Sequence, residues 1–129
     1  MEKLGTQTIT TENAIIKLDK QGIVHLSFQN YAYVNLDESK EILSARKRLL
    51  PNTKQFLLVD LTNDPVPNKE SKQFANSDDL INITKAMALI TKGNISRIVG
   101  NFFFQMKETS YPTRLFTNKK DAIDWLLSQ

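Results

Sequence analysis

The chain has 129 residues, of which 40% are hydrophobic and 24% are charged, and its formal net charge is +3 at pH 7. This length predicts a single domain, residues 1–129, with one hydrophobic core. No apolar run approaches the roughly 20 residues of a membrane-spanning helix, and zero cysteines exclude disulfides, thiolate nucleophiles and cysteine-ligated metals. Residues 1–6 lack the apolar core of a signal peptide, so we expect a cytoplasmic protein with no transmembrane segment.

The first part of the chain predicts a loose lead-in followed by a β-hairpin. Residues 1–13 are polar and rich in threonine, which is typical of an unpacked terminus. Two apolar segments, 14–18 and 23–28, then flank a loop in which Gly22 suits a positive φ. His25, the single histidine, lies on the polar side of the second strand, where an incidental role is far more common than a catalytic one.

After a connector at 30–34, an apolar stripe at helical spacing predicts the first helix over residues 37–50, and Pro51 ends it. The densest basic cluster lies at the end of this helix, where cations complement the helix dipole. No aromatic residues are interleaved with it, so we expect no nucleic-acid partner. The cluster is Arg46, Lys47 and Arg48, and the predicted solvated face comprises Glu38, Lys40, Glu41, Lys47 and Arg48.

The rest of the chain is organised around a short apolar run, 56–59, bounded by polar residues. Such a run predicts a strand buried on both faces, as in the centre of a parallel sheet. Ligands and partners usually dock at the carboxyl ends of these strands. Here the strand ends in Asp60, and Asp64 follows in a proline-punctuated loop. Acids in such loops are usually turn formers and caps, although carboxylate pairs can also bind Mg²⁺ or share protons.

Further helices and strands alternate after this loop. Asn68 is a predicted N-cap for a short helix over 69–75, and Ser77 for a second short turn. Residues 85–90 predict another buried strand, and the alanines in it indicate a helix packed closely over it.

A third long helix is predicted over residues 94–107, with Asn94 as its cap and an apolar stripe that includes Phe102. Phe104 falls outside this stripe, and a large aromatic side chain there needs a neighbour. That neighbour is another element of the same chain, a second subunit in a homodimer, or an apolar ligand.

The chain closes with a strand over 113–116 and a helix that Thr117 or Asn118 caps and that packs partly through Trp125. The order is therefore a β-hairpin followed by α, β, α, β, α, β and α. Strands separated by helices imply parallel pairing with right-handed crossovers. The predicted fold class is α/β, with an N-terminal β-hairpin, mostly parallel strands and helices packed on the sheet.

Two stretches carry a family resemblance. The first is the strand Leu58-Val59-Asp60-Leu61-Thr62 with the helix start Asn68-Lys69-Glu70-Ser71; the second comprises residues 98–101, 114–116 and 122–126. The chain resembles the STAS/SpoIIAA-like fold, the family of the anti-sigma factor antagonists and of SEC14-like relatives. In the antagonists, a strand ending in Asp-Leu-Ser precedes a helix that begins Asp-Ser-Ser-Gly. The C-terminal stretch looks like the ending of small bacterial STAS/SEC14-type proteins.

The resemblance directs attention to the start of the helix after the central strand. Glu70 occupies the position of the serine that is phosphorylated in the classical antagonists, and Ser71 comes one place later. Three interpretations stay open: Glu70 resembles the phosphorylated state, Ser71 is the phosphorylation target, or the switch is lost or altered. We favour the last, because glutamate cannot be switched by phosphate. Asn68 and Glu70 are also ordinary helix-capping residues.

No nucleophile elbow, P-loop or dinucleotide fingerprint is present, so we expect no enzymatic activity, cofactor or metal. Two hypotheses follow. The favoured one, which the resemblance implies, is a regulatory module that docks a protein partner through Asp60, Asp64, Asn68, Glu70 and Ser71. The other is SEC14-like binding of an apolar small molecule or lipid, in a pocket lined by residues such as Phe74, Phe102, Phe104 and Trp125.

Overall fold

The structure is a computed structural model, and it describes residues 7–93 and 111–129. The helices of this part of the chain are α1 (Leu36–Leu49), α2 (Lys69–Phe74), α3 (Asp78–Ile81) and α4 (Lys119–Leu127). Its strands are β1 (Gln7–Thr10), β2 (Ala14–Leu18), β3 (Ile23–Phe28), β4 (Tyr33–Val34), β5 (Gln55–Asp60), β6 (Val66–Pro67), β7 (Thr84–Ile90) and β8 (Thr113–Phe116).

Six of these strands form one mixed sheet in the order β1-β2-β3-β5-β7-β8. The first two pairs are antiparallel, and the pairs β3–β5, β5–β7 and β7–β8 are parallel. Parallel neighbours require crossover connections; α1 lies in the connection from β3 to β5, and α2 and α3 lie in that from β5 to β7. The predicted α/β class, with a hairpin leading into mostly parallel strands, is confirmed.

Strand β5 lies near the middle of the sheet because it can bury side chains on both faces. Leu57, Leu58 and Val59 are all buried, and β5 pairs with β3 on one side and with β7 on the other. Side chains alternate along a strand, so Leu57 and Val59 point to one face and Leu58 to the other. They belong to two separate apolar clusters accordingly.

The two faces of the sheet are covered by different helices. We call the first the α1 face, where Ile42, Ala45 and Leu49 of α1 pack on the sheet. The second is the α4 face, where Ala122 and Leu126 of α4 pack on β5 and β7. Its close contact depends on small side chains in β7, as the sequence predicted, because the buried residues there include Ala86 and Ala88.

Residues 7–10 depart from the predicted loose lead-in. They form β1, which pairs with β2 and so makes β1 the edge of the sheet. A threonine-rich strand is polar enough to escape hydrophobic pattern analysis, yet β-branched threonine suits an edge strand. The assignment of the whole chain to one domain stays a prediction.

Two charged residues of α1 are buried: Glu38, which was predicted to lie on the solvated face, and Arg46, which was assigned only to the basic cluster at the end of the helix. Glu38 is 6% exposed, accepts a hydrogen bond from Thr11 Oγ1 and one of 3.3 Å from the Asn13 N–H, and thereby fastens α1 to the β1–β2 turn. Arg46 is 1% exposed. Lys47 and Arg48 are exposed as predicted.

The helix starts follow the predicted caps closely. Asn68 caps α2 by accepting from the Ser71 N–H, and Asn118, one of the two candidates, caps α4 by accepting from the Asp121 N–H, both at 2.9 Å. Ser77 occupies the cap position of α3 but makes no capping hydrogen bond. The predicted helix over 94–107, with Phe102 and Phe104, lies outside the described residues. Within 7–93 and 111–129, no helix is long and apolar enough to cross a membrane.

Candidate functional site

The loops that follow β3 and β5 come together at the carboxyl end of the sheet. The Tyr31 N–H donates to the Asn63 carbonyl at 2.8 Å, and Asn63 Nδ2 donates to the Phe28 carbonyl at 2.7 Å. Beyond this junction β4 and β6 pair in parallel, with Tyr33 opposite Val66. The segment predicted as a plain connector is thus part of a small second sheet.

Both loops contain a residue in the left-handed backbone region. Tyr31 and Asp64 each have φ 54°, a conformation that is uncommon for residues other than glycine. Such conformations persist where surrounding contacts determine the backbone, and they cluster at functional sites. The hydrogen bonds between the two loops supply those contacts.

This junction presents large apolar side chains to solvent. Tyr31 is 73% exposed, Tyr33 59% and Val66 50%. Asn68 Nδ2 donates to the Tyr33 hydroxyl at 3.3 Å, which joins the patch to the start of α2. Glu70 is exposed in the first turn of that helix. We call the five residues Tyr31, Tyr33, Val66, Asn68 and Glu70 the β4–β6 surface.

The two aspartates predicted to take part in docking hold the loop after β5. Asp60 Oδ1 accepts from the Thr62 N–H at 2.8 Å and from its hydroxyl at 2.6 Å. Asp64 Oδ2 lies 3.3 Å from Lys92 Nζ, just after β7. Both carboxylates therefore shape the loop, which is the commoner role of acids in such segments.

Ser71, the proposed phosphorylation target, is 5% exposed. Its hydroxyl donates to the Val34 carbonyl at 2.8 Å and accepts from Ser39 Oγ at 3.0 Å. A phosphate would break both bonds and bring a desolvated charge into the space between α1 and α2. The placement gives Ser71 a structural role and disfavours it as a phosphorylation target.

A cavity of about 140 Å³ lies on the α1 face, behind the β4–β6 surface. Phe74 lines it, as predicted for the apolar pocket. Trp125 belongs to the α4 face instead, where its ring centroid lies 5.7 Å from that of Phe116. The described lining residues are Phe28, Val34, Ser39, Ile42, Arg46, Leu57, Val59, Leu61, Pro65, Pro67, Ser71, Lys72, Phe74, Ala75, Leu80, Met87, Leu89 and Tyr111.

Arg46 is the fully buried charged residue of a cavity wall that also includes partly exposed Lys72, and sequence analysis missed it as a site residue. Its Nε–H donates to Gln55 Oε1 at 2.8 Å and Nη2 donates to Thr84 Oγ1 at 3.0 Å. Burial lowers the pKa of Arg46 to about 10, so the guanidinium stays charged at neutral pH. Burial likewise raises the pKa of Tyr111, which interacts electrostatically with the guanidinium.

His25 has a structural partner. Its Nε2 lies 2.8 Å from Asp19 Oδ2, and Asp19 Oδ1 also accepts from the Gln21 and Ile23 N–H groups of the hairpin loop. Among residues 7–93 and 111–129, no group of three or more histidine, aspartate or glutamate side chains is placed to hold a metal ion.

These features define a SpoIIAA-like α/β fold. A crystal structure of an uncharacterized protein of the DUF3478 family from Shewanella loihica PV-4, described as having a SpoIIAA-like fold, superimposes with a TM-score of 0.61 over 98% of both chains, at 14% identity. That likeness concerns the fold alone, and it confirms the predicted STAS/SpoIIAA-like architecture. No curated protein matches the chain. Residues 16–129 match the model of a domain of unknown function, DUF7793, and the chain belongs to that family.

Proposed function

We propose that the chain is a non-enzymatic regulatory module that binds a protein partner through the β4–β6 surface. The observation that supports this function most directly is the pair of exposed tyrosines, Tyr31 and Tyr33, beside exposed Val66. Scattered single apolar residues are normal on a surface, but neighbouring ones indicate an interaction site. Tyrosine is also enriched among the residues that dominate binding energy at interfaces.

The backbone under these tyrosines favours binding further. Tyr31 N–H is tied to the Asn63 carbonyl, and Tyr33 lies in the β4–β6 pair. A surface held in this way loses little conformational entropy when a partner docks, so more of the contact energy appears as affinity.

Glu70 places a carboxylate at one side of the surface, next to exposed Lys69. It is exposed in the first turn of α2, where its carboxylate also complements the helix dipole. We therefore expect the partner to present an apolar pocket for the tyrosines and a basic residue opposite Glu70. Asp60 and Asp64 contribute by holding the loop rather than by contact.

A site-specific photo-crosslinker tests the proposal in cells that naturally express the protein. Placed at Tyr33, it should trap one protein that the same crosslinker at Leu127, an exposed residue of α4, does not trap. The trapped protein is then purified, and its affinity for the unmodified chain is measured. Equal trapping at the two positions would contradict the proposal, and a crosslink between two copies of this chain would favour a homodimer.

Two substitutions sharpen the test. Tyr33→Ala and Glu70→Lys should each weaken binding of the purified partner by at least about tenfold, which corresponds to about 1.4 kcal/mol. Glu41→Lys, an exposed charge reversal on α1, is the matched control and should leave the affinity unchanged. All three variants should unfold within a few degrees of the wild type, because surface substitutions rarely change stability by more than about 0.5 kcal/mol.

The cavity supports a second candidate function, the binding of an apolar small molecule. Its volume of about 140 Å³ is close to that of an engineered cavity, of about 150 Å³ in another protein, that binds benzene. A one-ring compound or a short chain fits such a space. Native mass spectra of protein purified gently from its own cells should show an added mass that disappears on denaturation. A mass equal to the bare chain in both spectra would argue against this function.

A further inference from the structure

We propose that the cavity on the α1 face is a site for a small monocarboxylate with an apolar body, whose carboxylate pairs with the buried guanidinium of Arg46. This inference rests on the second candidate function, ligand binding in the cavity, and it adds the chemical class of the ligand. It is independent of partner docking at the β4–β6 surface.

The buried charge of Arg46 has no counter-charge among the described residues. The residue is 1% exposed, and within the described part of the chain no carboxylate lies within ion-pair distance of it. Burying a charge costs several kcal/mol unless a counter-charge or good hydrogen bonds offset the lost hydration. Arginine is therefore seldom fully buried unless it is paired.

The hydrogen bonds that Arg46 makes fix the orientation of its guanidinium but supply no negative charge to balance it. Gln55 Oε1 and Thr84 Oγ1 are neutral acceptors, and they join α1 to the first residues of β5 and β7. Gln55 in turn donates through Nε2 to the Arg46 and Leu50 carbonyls at 2.9 and 3.1 Å, which completes the end of α1. Only two of the five guanidinium N–H donors are used in these bonds. The remaining donors suit the two oxygens of a carboxylate.

The cavity wall around the guanidinium is mostly apolar. Apolar side chains from the sheet and from three helices line the cavity, which is partly open to solvent, among them Ile42, Leu57, Phe74, Leu80 and Met87. An inorganic anion would lose its hydration against these side chains and gain only the ion pair with Arg46, besides partly exposed Lys72 in the wall. A carboxylate attached to a ring or short chain gains the same ion pair and also buries apolar surface.

The size of the cavity limits the ligand. A volume of about 140 Å³ accommodates one aromatic ring, so benzoate is a suitable probe of the site. Benzyl alcohol has nearly the same shape without the charge, and it separates the ion pair from simple filling of the cavity.

Calorimetric titration of the full chain with sodium benzoate and with benzyl alcohol tests the inference. Benzoate should bind saturably and at least about tenfold more tightly than benzyl alcohol. Arg46→Met should remove that preference while leaving benzyl alcohol binding in place. Arg48→Met, an exposed position on the same helix, is the matched control and should bind benzoate like the wild type.

A measurement on the wild type covers the case in which Arg46→Met does not fold. Benzoate should shift the side-chain Nε–H resonance of Arg46 and leave that of the exposed Arg48 in place. Binding of benzyl alcohol without benzoate would overturn the carboxylate assignment and leave ligand binding standing. Binding of neither compound, with no mass copurifying from cells, would overturn both.

Discussion

The two faces of the sheet are built differently. On the α4 face Ile23, Ala86, Ala88, Ala122 and Leu126 are all 0% exposed. On the α1 face the helices and the sheet line a partly open cavity of about 140 Å³, and Glu38, Arg46 and Ser71 are buried. One layer of the same sheet thus resembles a close-packed interior, and the other resembles a binding site.

This difference shows how stability and function are separated in a small chain. Alanines in β7 let α4 approach closely and fill the space, which maximises contact on one face. The α1 face retains empty volume and buried polar groups, both of which reduce stability unless a ligand or partner compensates. Substitutions on the two faces should therefore differ in their effects on stability and on ligand binding.

Truncating a leucine should cost far more on the α4 face than at the cavity. Leu126 is 0% exposed, and Leu126→Ala should lower the free energy of unfolding by about 2–5 kcal/mol. Leu80 is partly exposed and already borders the cavity, so Leu80→Ala should cost only about 1 kcal/mol. Urea unfolding of the two variants measures both, and equal losses would contradict the contrast between the faces.

Replacing an alanine by a larger residue should also destabilise the α4 face more than the cavity wall. Ala88 is 0% exposed. Ala88→Leu should lower the free energy of unfolding by about 1–3 kcal/mol, because the close-packed α4 face has no space for the larger side chain. Ala75 lines the cavity, so Ala75→Leu should change stability by less than about 1 kcal/mol and weaken benzoate binding. Thermal unfolding measures the stability of both variants, and the benzoate titration measures ligand binding by Ala75→Leu. A large loss at Ala75 would show that the cavity wall cannot accommodate the added side chain.

The sequence predicted most of the sheet because the determining pattern is local. The hairpin strands, β5, β7 and β8 each carry their own apolar run or alternation, bounded by turn residues. The parallel order follows from the alternation of strands with helices. These inferences need no knowledge of which residues meet in space, and the structure confirms them.

The short strands escaped prediction because their partners lie elsewhere in the chain. β1 is polar, and β4 and β6 have two residues each. Each is a strand only because it pairs with a neighbour, and a two-residue segment has no periodicity of its own. The β4–β6 surface therefore could not be recognised from the sequence, and the docking role that the resemblance implied for Asn68 and Glu70 stays a prediction.

The cavity could be predicted only in outline. Phe74 lines the cavity, whereas Trp125 lies on the α4 face, and the assignment of Phe74 to a ligand pocket stays a prediction. A signal for Arg46 existed: it follows Ile42 by four residues, and Glu38 precedes Ile42 by four, so all three share one helix face. The charges of Glu38 and Arg46 indicated exposure, whereas their helical spacing from Ile42 indicated burial. Both residues are buried.

Helix caps extend the comparison of the two faces to smaller energies. Asn118 Oδ1 accepts from the Asp121 N–H at the start of α4, whereas Ser77 makes no capping hydrogen bond at the start of α3. Asn118→Ala should therefore cost about 1 kcal/mol, and Ser77→Ala should cost close to nothing. Chemical denaturation of both variants measures the difference. A substantial loss in Ser77→Ala would mean that its hydroxyl stabilises the α1 face in another way.

The smallest effect should come from Asp19, whose partner His25 lies on the same side of β3 as buried Ile23. Partial burial raises the pKa of Asp19, but hydrogen bonds from His25, Ile23 and Gln21 together outweigh it, and the pKa falls below 3.8. The bonds therefore stabilise the fold above about that pH, and the gain is lost as the pH drops through the lowered value. Asp19→Asn should cost less than about 1 kcal/mol at neutral pH, and its deficit should disappear once the pH falls below the lowered pKa. Urea unfolding across this range, with exposed Asp124→Asn as the control, measures the deficit. A deficit that does not change with pH would show that the side chain acts through its shape and not through its charge.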